Sequence, residues 1–136
     1  MNGEHTGACL CGSVRFTTRG KLDGVIYCHC SQCRKQTGHF YAATSIAADA
    51  LSVEGEDRVT WYAASPDARR GFCSVCGSAL FWRDLASDQI SILAGAFDKP
   101  SGLKGTRHIY VADKGDYYEI EDGLPRDDAW AEQQRG

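Results

Sequence analysis

The chain has 136 residues, of which 43% are hydrophobic and 24% charged, and its net charge is −3 at pH 7. This length and composition predict one globular domain over residues 1–136. No apolar run approaches the roughly 18 residues of a membrane span, and the acidic balance argues against a nucleic-acid partner, because such proteins usually carry a basic surface. Residues 1–7 lack the basic and apolar regions of a signal peptide, so we expect a cytoplasmic protein.

Short strands dominate the predicted secondary structure. Alternating or β-forming residues predict strands at 13–18, 24–27, 39–46, 51–55, 59–63, 89–95 and 106–111. One helical turn is predicted at 32–36, with Ser31 as its N-cap and Gly38 at its end. Short strands at this spacing predict a compact, mainly β fold rather than a βαβ fold. We expect its core to span about 7–125 and a polar tail to follow over 126–136.

Seven cysteines form three groups along the chain. A disulfide framework is the weaker interpretation, because an odd count leaves one thiol over and neighbouring cysteines cannot bridge without strain. In a reducing compartment, clustered cysteines indicate metal ligands instead. The three groups are Cys9 with Cys11, Cys28 with Cys30 and Cys33, and Cys73 with Cys76.

Two of these groups predict one closed zinc site. Structural zinc takes four ligands in a tetrahedron, and thiolates suit it. Gly12 and Gly77 each follow a cysteine pair directly, and glycine permits the tight turn that brings both sulfurs onto one ion. We therefore predict a four-cysteine cluster that holds a structural zinc: Cys9, Cys11, Cys73 and Cys76.

The remaining three-cysteine cluster, Cys28, Cys30 and Cys33, predicts an open zinc site. Three protein ligands plus a free position is the catalytic pattern. Cys33 would lie in the first turn of the predicted helix, where backbone N–H groups and the helix dipole favour a thiolate. The alternative is a second structural zinc closed by a fourth protein ligand, with His39 as the local candidate and His108 as a distant one. His29 is expected to point away from the cluster, because side chains alternate along an extended chain.

Several segments together resemble the glutathione-dependent formaldehyde-activating (GFA) family. The resemblance covers about Gly7 to Pro125 and is carried by the segments 7–14, 27–38, 72–78, 107–111 and 122–125. It implies a β fold built around two zinc ions, with the four-cysteine cluster structural and the three-cysteine cluster at the reaction site. The family's reaction joins glutathione to formaldehyde, giving S-hydroxymethylglutathione, and is classed with the carbon–sulfur lyases. Tyr117 and Tyr118 stand where the family often has tryptophan.

Three cationic side chains are candidate contacts for the substrate. Arg34, Lys35 and Arg70 could hold the carboxylates of a glutathione-like anion, although solvated surface charge is an equally ordinary role for them. The predicted partner is therefore a small thiol such as glutathione. The alternative function is a non-catalytic, zinc-ribbon-like binding module with two structural zincs. An open metal position favours the enzyme, whereas a histidine-closed site with a large apolar or basic patch favours the module.

Overall fold

The computed structural model describes residues 3–130 and confirms the mainly β prediction. Within that range the chain forms ten strands, one α-helix and four short 3-10 helices. The strands are β1 (Glu4–Ala8), β2 (Arg15–Arg19), β3 (Val25–Cys28), β4 (Tyr41–Ala47), β5 (Leu51–Glu54), β6 (Val59–Tyr62), β7 (Ala68–Cys73), β8 (Ala79–Asp84), β9 (Gln89–Leu93) and β10 (Gly105–Ile109). Helix α1 spans Ser31–Thr37, and the 3-10 helices span Ala48–Ala50, Glu56–Arg58, Ala94–Ala96 and Val111–Asp113.

The strands form two sheets. One has three strands in the order β1-β2-β5, and the other has seven in the order β10-β3-β4-β9-β8-β7-β6. Neighbouring strands are antiparallel except β10 and β3, which run parallel. Since β3 lies between β10 and β4, the chain that leaves β3 at Cys28 is flanked by elements from both halves of the sequence.

The hydrophobic core joins the two sheets. Phe16 of β2 packs edge-on against Phe81 of β8, with ring centroids 6.0 Å apart, and against Phe97 at 5.1 Å. Leu80 and Ile92 are fully buried beside them. Aromatic pairs of this geometry add to the stabilisation that burial of their apolar surface provides, so this core fixes how the two sheets lie against each other.

The predicted strands correspond to β2–β6, β9 and β10, with ends shifted by one or two residues. Strand β1 was not predicted, because Glu4–Ala8 contains few β-forming residues and owes its conformation to antiparallel pairing with β2. The predicted N-cap was wrong. Cys30, not Ser31, caps α1, and its sulfur accepts the hydrogen bond from Cys33 N–H. Gly38 ends the helix in the left-handed conformation, as predicted.

The segment after β10 packs back against it. His108 N–H donates to Pro125 O at 2.9 Å, Asp127 N–H donates to His108 O at 3.0 Å, and Arg107 pairs with the Asp127 carboxylate at 2.6 Å. The start of the predicted polar tail is thus hydrogen-bonded to a strand, and 131–136 lie outside the described residues. Among the described residues, no helix has the length and apolar character needed to cross a membrane.

Candidate metal centre and its surroundings

The structure brings the four-cysteine cluster together from two distant turns. All four sulfur atoms lie within 4.8 Å of one another. Cys9 Sγ is 3.7 Å from Cys11 Sγ, and Cys11 Sγ is 3.9 Å from Cys73 Sγ. Sulfurs bound to one tetrahedral zinc at about 2.3 Å would be about 3.8 Å apart, whereas a disulfide bond is about 2.05 Å long. The donor set and spacing therefore fit a zinc ion.

Backbone conformation and backbone donors shape this cluster. Gly12 and Gly77 both have φ of +80°, the left-handed region that each turn requires. Val14 N–H points at Cys9 Sγ at 3.3 Å, and Cys76 N–H points at Cys73 Sγ at 3.5 Å. Such N–H groups stabilise sulfur in its thiolate form, so the turns prepare both sulfurs for a cation.

The three-cysteine cluster forms where β3 passes into α1. Cys28 is the last residue of β3, Cys30 caps the helix, and Cys33 is buried in its first turn. Their sulfurs also lie within 4.8 Å of one another. Cys33 lies in the first turn as predicted, but its own N–H donates to Cys30 Sγ at 3.3 Å. The helix N-terminus thus favours a thiolate at Cys30 more directly than at Cys33.

Hydrogen bonding within the three-cysteine cluster makes its thiols unequal. The neighbouring thiols of Cys28 and Cys33 lower the pKa of Cys30 far below its ordinary value. The same neighbourhood of Cys30 and Cys33, together with burial, raises the pKa of Cys28 far above its ordinary value. Cys30 is thus the sulfur of this cluster most favoured as a thiolate, and a bound zinc would displace the protons that the cluster still carries.

Neither histidine that sequence analysis offered as a fourth ligand joins the three sulfurs. Among residues 3–130, the group within 4.8 Å contains Cys28, Cys30 and Cys33 and no histidine or carboxylate atom. His39 is exposed and packs against Phe40 and Tyr118. His108 is 2% exposed, and both its ring nitrogens bond other side chains. The described part of the chain thus offers three candidate ligand atoms here.

Arg70 lies directly beside the three-cysteine cluster. Only 5% of its surface is exposed, and it extends from β7 so that Nη2 donates to Cys33 Sγ at 3.5 Å. The other contacts are Gln36 Oε1 at 2.9 Å, Gln32 Oε1 at 3.3 Å and the Tyr41 ring at 5.2 Å. Burial alone would lower the pKa of Arg70. The charge attraction and the hydrogen bond to Cys33 outweigh that effect, so the pKa of Arg70 is raised. Arg70 therefore supplies a positive charge to the sulfurs.

The three predicted anion contacts do not lie on one surface. Lys35 is exposed and lines a groove of about 850 Å³ together with Gln32, Gln36, Tyr62, Arg70 and Phe72. Arg34 is absent from that lining and lies within electrostatic reach of Tyr118 instead. Arg70 is at the base of the groove with its guanidinium directed at Cys33. Contact of these residues with a substrate stays a prediction.

His29, which lies between Cys28 and Cys30 in the sequence, belongs to a chain of hydrogen-bonded side chains that sequence analysis missed. Tyr118 Oη is 2.6 Å from His29 Nδ1, His29 Nε2 is 2.8 Å from His108 Nδ1, and His108 Nε2 is 2.8 Å from Asp122 Oδ2. His29 is fully buried, and burial together with the charge of His108 lowers its pKa to about 4. His29 is thus a neutral hydrogen-bonding neighbour of the cluster.

A local signal existed for only some of the missed residues. Gln32 and Gln36 are four residues apart and therefore share one face of a helix, which the predicted turn could have indicated. Tyr118 lies 89 positions from His29 in the sequence and bonds it directly. Asp122 lies 93 positions from His29 and is connected to it through His108 of β10. No local sequence pattern predicts either approach.

Comparisons with known proteins agree with this arrangement. The family model described as "Glutathione-dependent formaldehyde-activating enzyme" matches residues 4–113. An uncharacterized lyase of Schizosaccharomyces pombe is 27% identical over 118 residues, covering 86% of this chain and 85% of that protein. The crystal structure of a Rhodobacter sphaeroides protein has the same fold, with a TM-score of 0.57, 22% identity, and coverage of 74% of this chain and 99% of that one. The chain belongs to the glutathione-dependent formaldehyde-activating family.

Proposed function

We propose that this protein is a zinc-dependent carbon–sulfur lyase that joins glutathione to formaldehyde to give S-hydroxymethylglutathione. The proposal assigns a structural zinc to the four-cysteine cluster and a second zinc to the three-cysteine cluster. The observation that carries it is the difference between the two ligand sets: four sulfurs in one and three in the other, with no further ligand atom of the described residues within 4.8 Å. The missing ligand is the position that a thiol substrate would take.

Charge balance supports a thiol at the three-cysteine cluster. Three thiolates around a zinc dication leave a net charge of about −1, which is less favourable for activating water than a site with neutral histidine ligands. A zinc ion held there would bind an incoming thiol in its deprotonated form. Arg70 offsets the negative charge, since its guanidinium contacts Cys33 Sγ at 3.5 Å. The protein's contribution is thus to keep an anionic sulfur stable in a buried place.

The groove beside α1 supports a peptide-like thiol. Arg70 has donors only, so the oxygens of Gln32 and Gln36 must face it, and their NH₂ groups are left to donate elsewhere. Those two amides and the Lys35 ammonium offer hydrogen-bond donors to carboxylate or peptide oxygens in the groove. Its volume of about 850 Å³ falls within the range of about 300–1,000 Å³ typical of small-molecule sites. A tripeptide thiol with two carboxylates matches these donors.

In the proposed reaction the thiol loses its proton, and its sulfur attacks the formaldehyde carbon from the open side of the three-cysteine cluster. The carbonyl oxygen takes up the electron pair and then a proton. We infer that this happens in the cytoplasm, in keeping with seven cysteines that are all free of disulfides. The alternative, a binding module with two structural zincs, needs a fourth ligand at Cys28, Cys30 and Cys33, and the residues found there support the enzyme instead.

The test is calorimetric titration of the zinc-loaded protein with reduced glutathione and with S-methylglutathione. We expect glutathione to bind and the methylated compound to bind at least tenfold more weakly, because it has no thiol to deprotonate. In Cys30→Ser we expect one of two metal ions to be lost and both compounds to bind equally weakly. Unchanged thiol affinity in Cys30→Ser would contradict the proposal.

Lys35→Ala is the matched control for that experiment, because it alters the groove and leaves the sulfurs intact. It should weaken the binding of both compounds by a similar factor, so that the ratio of their two affinities stays as in the wild-type protein. If glutathione and S-methylglutathione bind the wild-type protein equally, the peptide sits in the groove without its sulfur reaching the cluster, and the proposed reaction is wrong.

A further inference from the structure

A second cavity lies away from the three-cysteine cluster, where strands β3 and β10 begin. Its volume is about 190 Å³, and its walls come from β1, from residues 22–24 and from residues 101–106. Because β3 and β10 run parallel, both strands start at this cavity, and β3 ends at Cys28 of the cluster. Val25 and Cys28 are three residues apart, so about 10 Å of strand separate the cavity from the cluster. The two places are therefore distinct.

The buried side of this cavity contains an imidazole without a hydrogen-bond partner. His5 of β1 is 7% exposed, and neither its Nδ1 nor its Nε2 has a partner among residues 3–130. The ring packs edge-on against Phe97 with centroids 6.3 Å apart, which fixes its position. Buried polar groups are rarely left without a partner. A neutral imidazole has one donor and one acceptor, so a matching ligand group must offer both.

Thr18 adds a second unpartnered polar group on the same face of the sheet. It stands directly opposite His5 in the antiparallel pairing of β1 and β2, so the two Cβ atoms are about 5 Å apart. Thr18 is fully buried, and its Oγ1 has no partner in the described part of the chain. The inner end of the cavity therefore lies where polar groups without partners are concentrated.

The sides of the cavity are apolar and carry one available donor. Leu22 is buried, and Leu103 packs against the hydrophobic core. Ser101 Oγ accepts a hydrogen bond from Leu103 N–H at 3.2 Å, so its own proton is available to an acceptor inside the cavity. A ligand that fits these walls has an apolar middle and an acceptor that Ser101 can reach.

Two opposite charges stand at the outer side of the cavity. Asp23 and Lys104 both line it and are both exposed. Their backbones are held close together, because Lys104 O accepts a hydrogen bond from Val25 N–H at 2.8 Å. Within residues 3–130 neither side chain forms an ion pair. These two charges match a ligand that carries both an ammonium group and a carboxylate.

We propose that this cavity binds a free amino acid whose side chain ends in a carboxamide. The ammonium group would face Asp23, the carboxylate would face Lys104, and the carboxamide would pair with His5, since it supplies both a donor and an acceptor. A volume of 190 Å³ equals that of about six water molecules in the liquid, which holds a small amino acid but not a tripeptide. This site is separate from the proposed function and does not depend on it.

Calorimetric titration of the zinc-loaded protein with four related compounds tests the site. L-asparagine has all three groups, and L-leucine has the same shape without the carboxamide. Leucine should bind about tenfold more weakly, because it leaves His5 unpaired. Succinamic acid lacks only the ammonium group and β-alaninamide lacks only the carboxylate. Each should bind up to about fivefold more weakly than asparagine, because the charges that they no longer contact are exposed.

His5→Phe is the variant that removes the inner contact. It keeps an aromatic ring against Phe97, and it should fold, because an apolar group then replaces an unpaired polar one. Asparagine should lose about tenfold in affinity and bind no better than leucine. Nitrogen NMR signals of the His5 ring, identified by their loss in His5→Phe, should shift when asparagine binds the wild-type protein. His39→Phe is the matched control, since His39 is exposed and does not line the cavity, and it should keep wild-type affinity.

Lys104→Met provides a second variant at the outer side. It should weaken asparagine and succinamic acid without weakening β-alaninamide, which has no carboxylate to lose a partner. If His5→Phe does not fold, this pattern and the preference of the wild-type protein for asparagine over leucine decide together.

Several results would overturn the proposal. These are equal binding of asparagine and leucine to the wild-type protein, His5 signals that do not move, and no binding at millimolar concentrations. A crystal structure of protein soaked in asparagine that shows only ordered water against His5 would overturn it as well. None of these results bears on thiol binding at the three-cysteine cluster.

Discussion

The four-cysteine and three-cysteine clusters use the same ligand atom in different surroundings. Around the first, the sulfurs are contacted by backbone N–H groups and by serine hydroxyls, Ser13 and Ser78. Beside the second lies the buried guanidinium of Arg70, and the buried imidazole of His29 lies between two of its cysteines in the sequence. Groups that cannot titrate suit a site that only holds an ion, and groups that carry charge or protons suit a site that exchanges one ligand.

One strand serves both clusters. Arg70 and Cys73 are three positions apart on β7, so their side chains leave opposite faces of the strand. Arg70 reaches Cys33, and Cys73 lies 3.9 Å from Cys11. Both clusters therefore depend on strand β7, although we assign them different roles. Substitutions in each cluster can show whether one cluster affects the other.

The largest difference is expected between Cys73→Ser and Cys30→Ser. Binding of a structural zinc contributes on the order of 10–16 kcal/mol, which is comparable to the whole stability of an ordinary domain at about 5–15 kcal/mol. Cys73 is fully buried in the closed cluster, so we expect Cys73→Ser to yield unfolded or insoluble protein. Cys30→Ser should fold with one metal ion instead of two. Metal content per chain and circular dichroism measure both outcomes.

Val75→Ala is the control for Cys73→Ser, since Val75 lies in the same turn and is 64% exposed. It should keep two metal ions and the wild-type melting temperature. A folded Cys73→Ser protein with one metal ion would show that the four-cysteine cluster is not required for the fold, and the assigned difference between the clusters would be wrong.

A smaller and more local effect is expected from Arg70→Gln. Removing the guanidinium leaves the negative charge beside Cys33 without its partner, and loss of such an outer contact typically weakens metal binding by about 10–100-fold. The four-cysteine cluster should keep its affinity. Competition with a chromophoric chelator, which resolves the two ions by affinity, measures both values in one titration.

Arg69→Gln is the matched control for that change. Arg69 is the preceding residue on β7, and its Nη1 donates to the backbone oxygens of Ser65 and Ala68. It should leave both metal affinities unchanged. Equal weakening of both ions by Arg70→Gln would indicate a general loss of stability instead of a charge effect at Cys33.

Sequence analysis predicted the parts of the structure that local chemistry decides. Cysteine spacing and the following glycines grouped Cys9 with Cys76 across 67 positions, because zinc geometry leaves few other pairings. Strand alternation located most of both sheets, because side chains on a half-buried strand must alternate. Gly38 was recognised as the end of α1 for a comparable reason, since a helix often ends in a left-handed residue.

The parts that sequence analysis missed depend on contacts between distant segments. Nothing near Arg70 indicates that its charge is buried against Cys33, because that depends on β7 crossing beside α1. Nothing near Tyr118 indicates His29, because the contact exists only once β10 pairs with β3 and the following segment folds back. The cap of α1 was assigned to Ser31 because serine is a common N-cap, yet the sulfur of Cys30 takes that place.

The smallest effects are expected from alanine substitutions at two glycines, Gly77 and Gly38. Gly77 directly follows Cys76 of the four-cysteine cluster, and Gly38 ends the helix that carries Cys33 of the three-cysteine cluster. Gly77 and Gly38 have φ of +80° and +82°, and an added Cβ would meet no atom within 4 Å at either. Alanine at either position therefore costs only backbone strain, on the order of 1 kcal/mol, which lowers Tm by about 3–8 °C.

The two glycine variants should lower Tm equally but differ in which metal ion they release. Gly77 N–H bonds Cys73 O in the four-cysteine cluster, and Gly38 N–H bonds Arg34 O at the end of the helix that carries Cys33. We expect Gly77→Ala to speed metal release to a chelator only from the four-cysteine cluster. Gly38→Ala should speed metal release only from the three-cysteine cluster. If each variant speeds release from both clusters, strand β7 couples them, and the exchange of a ligand at one cluster would then be felt at the other.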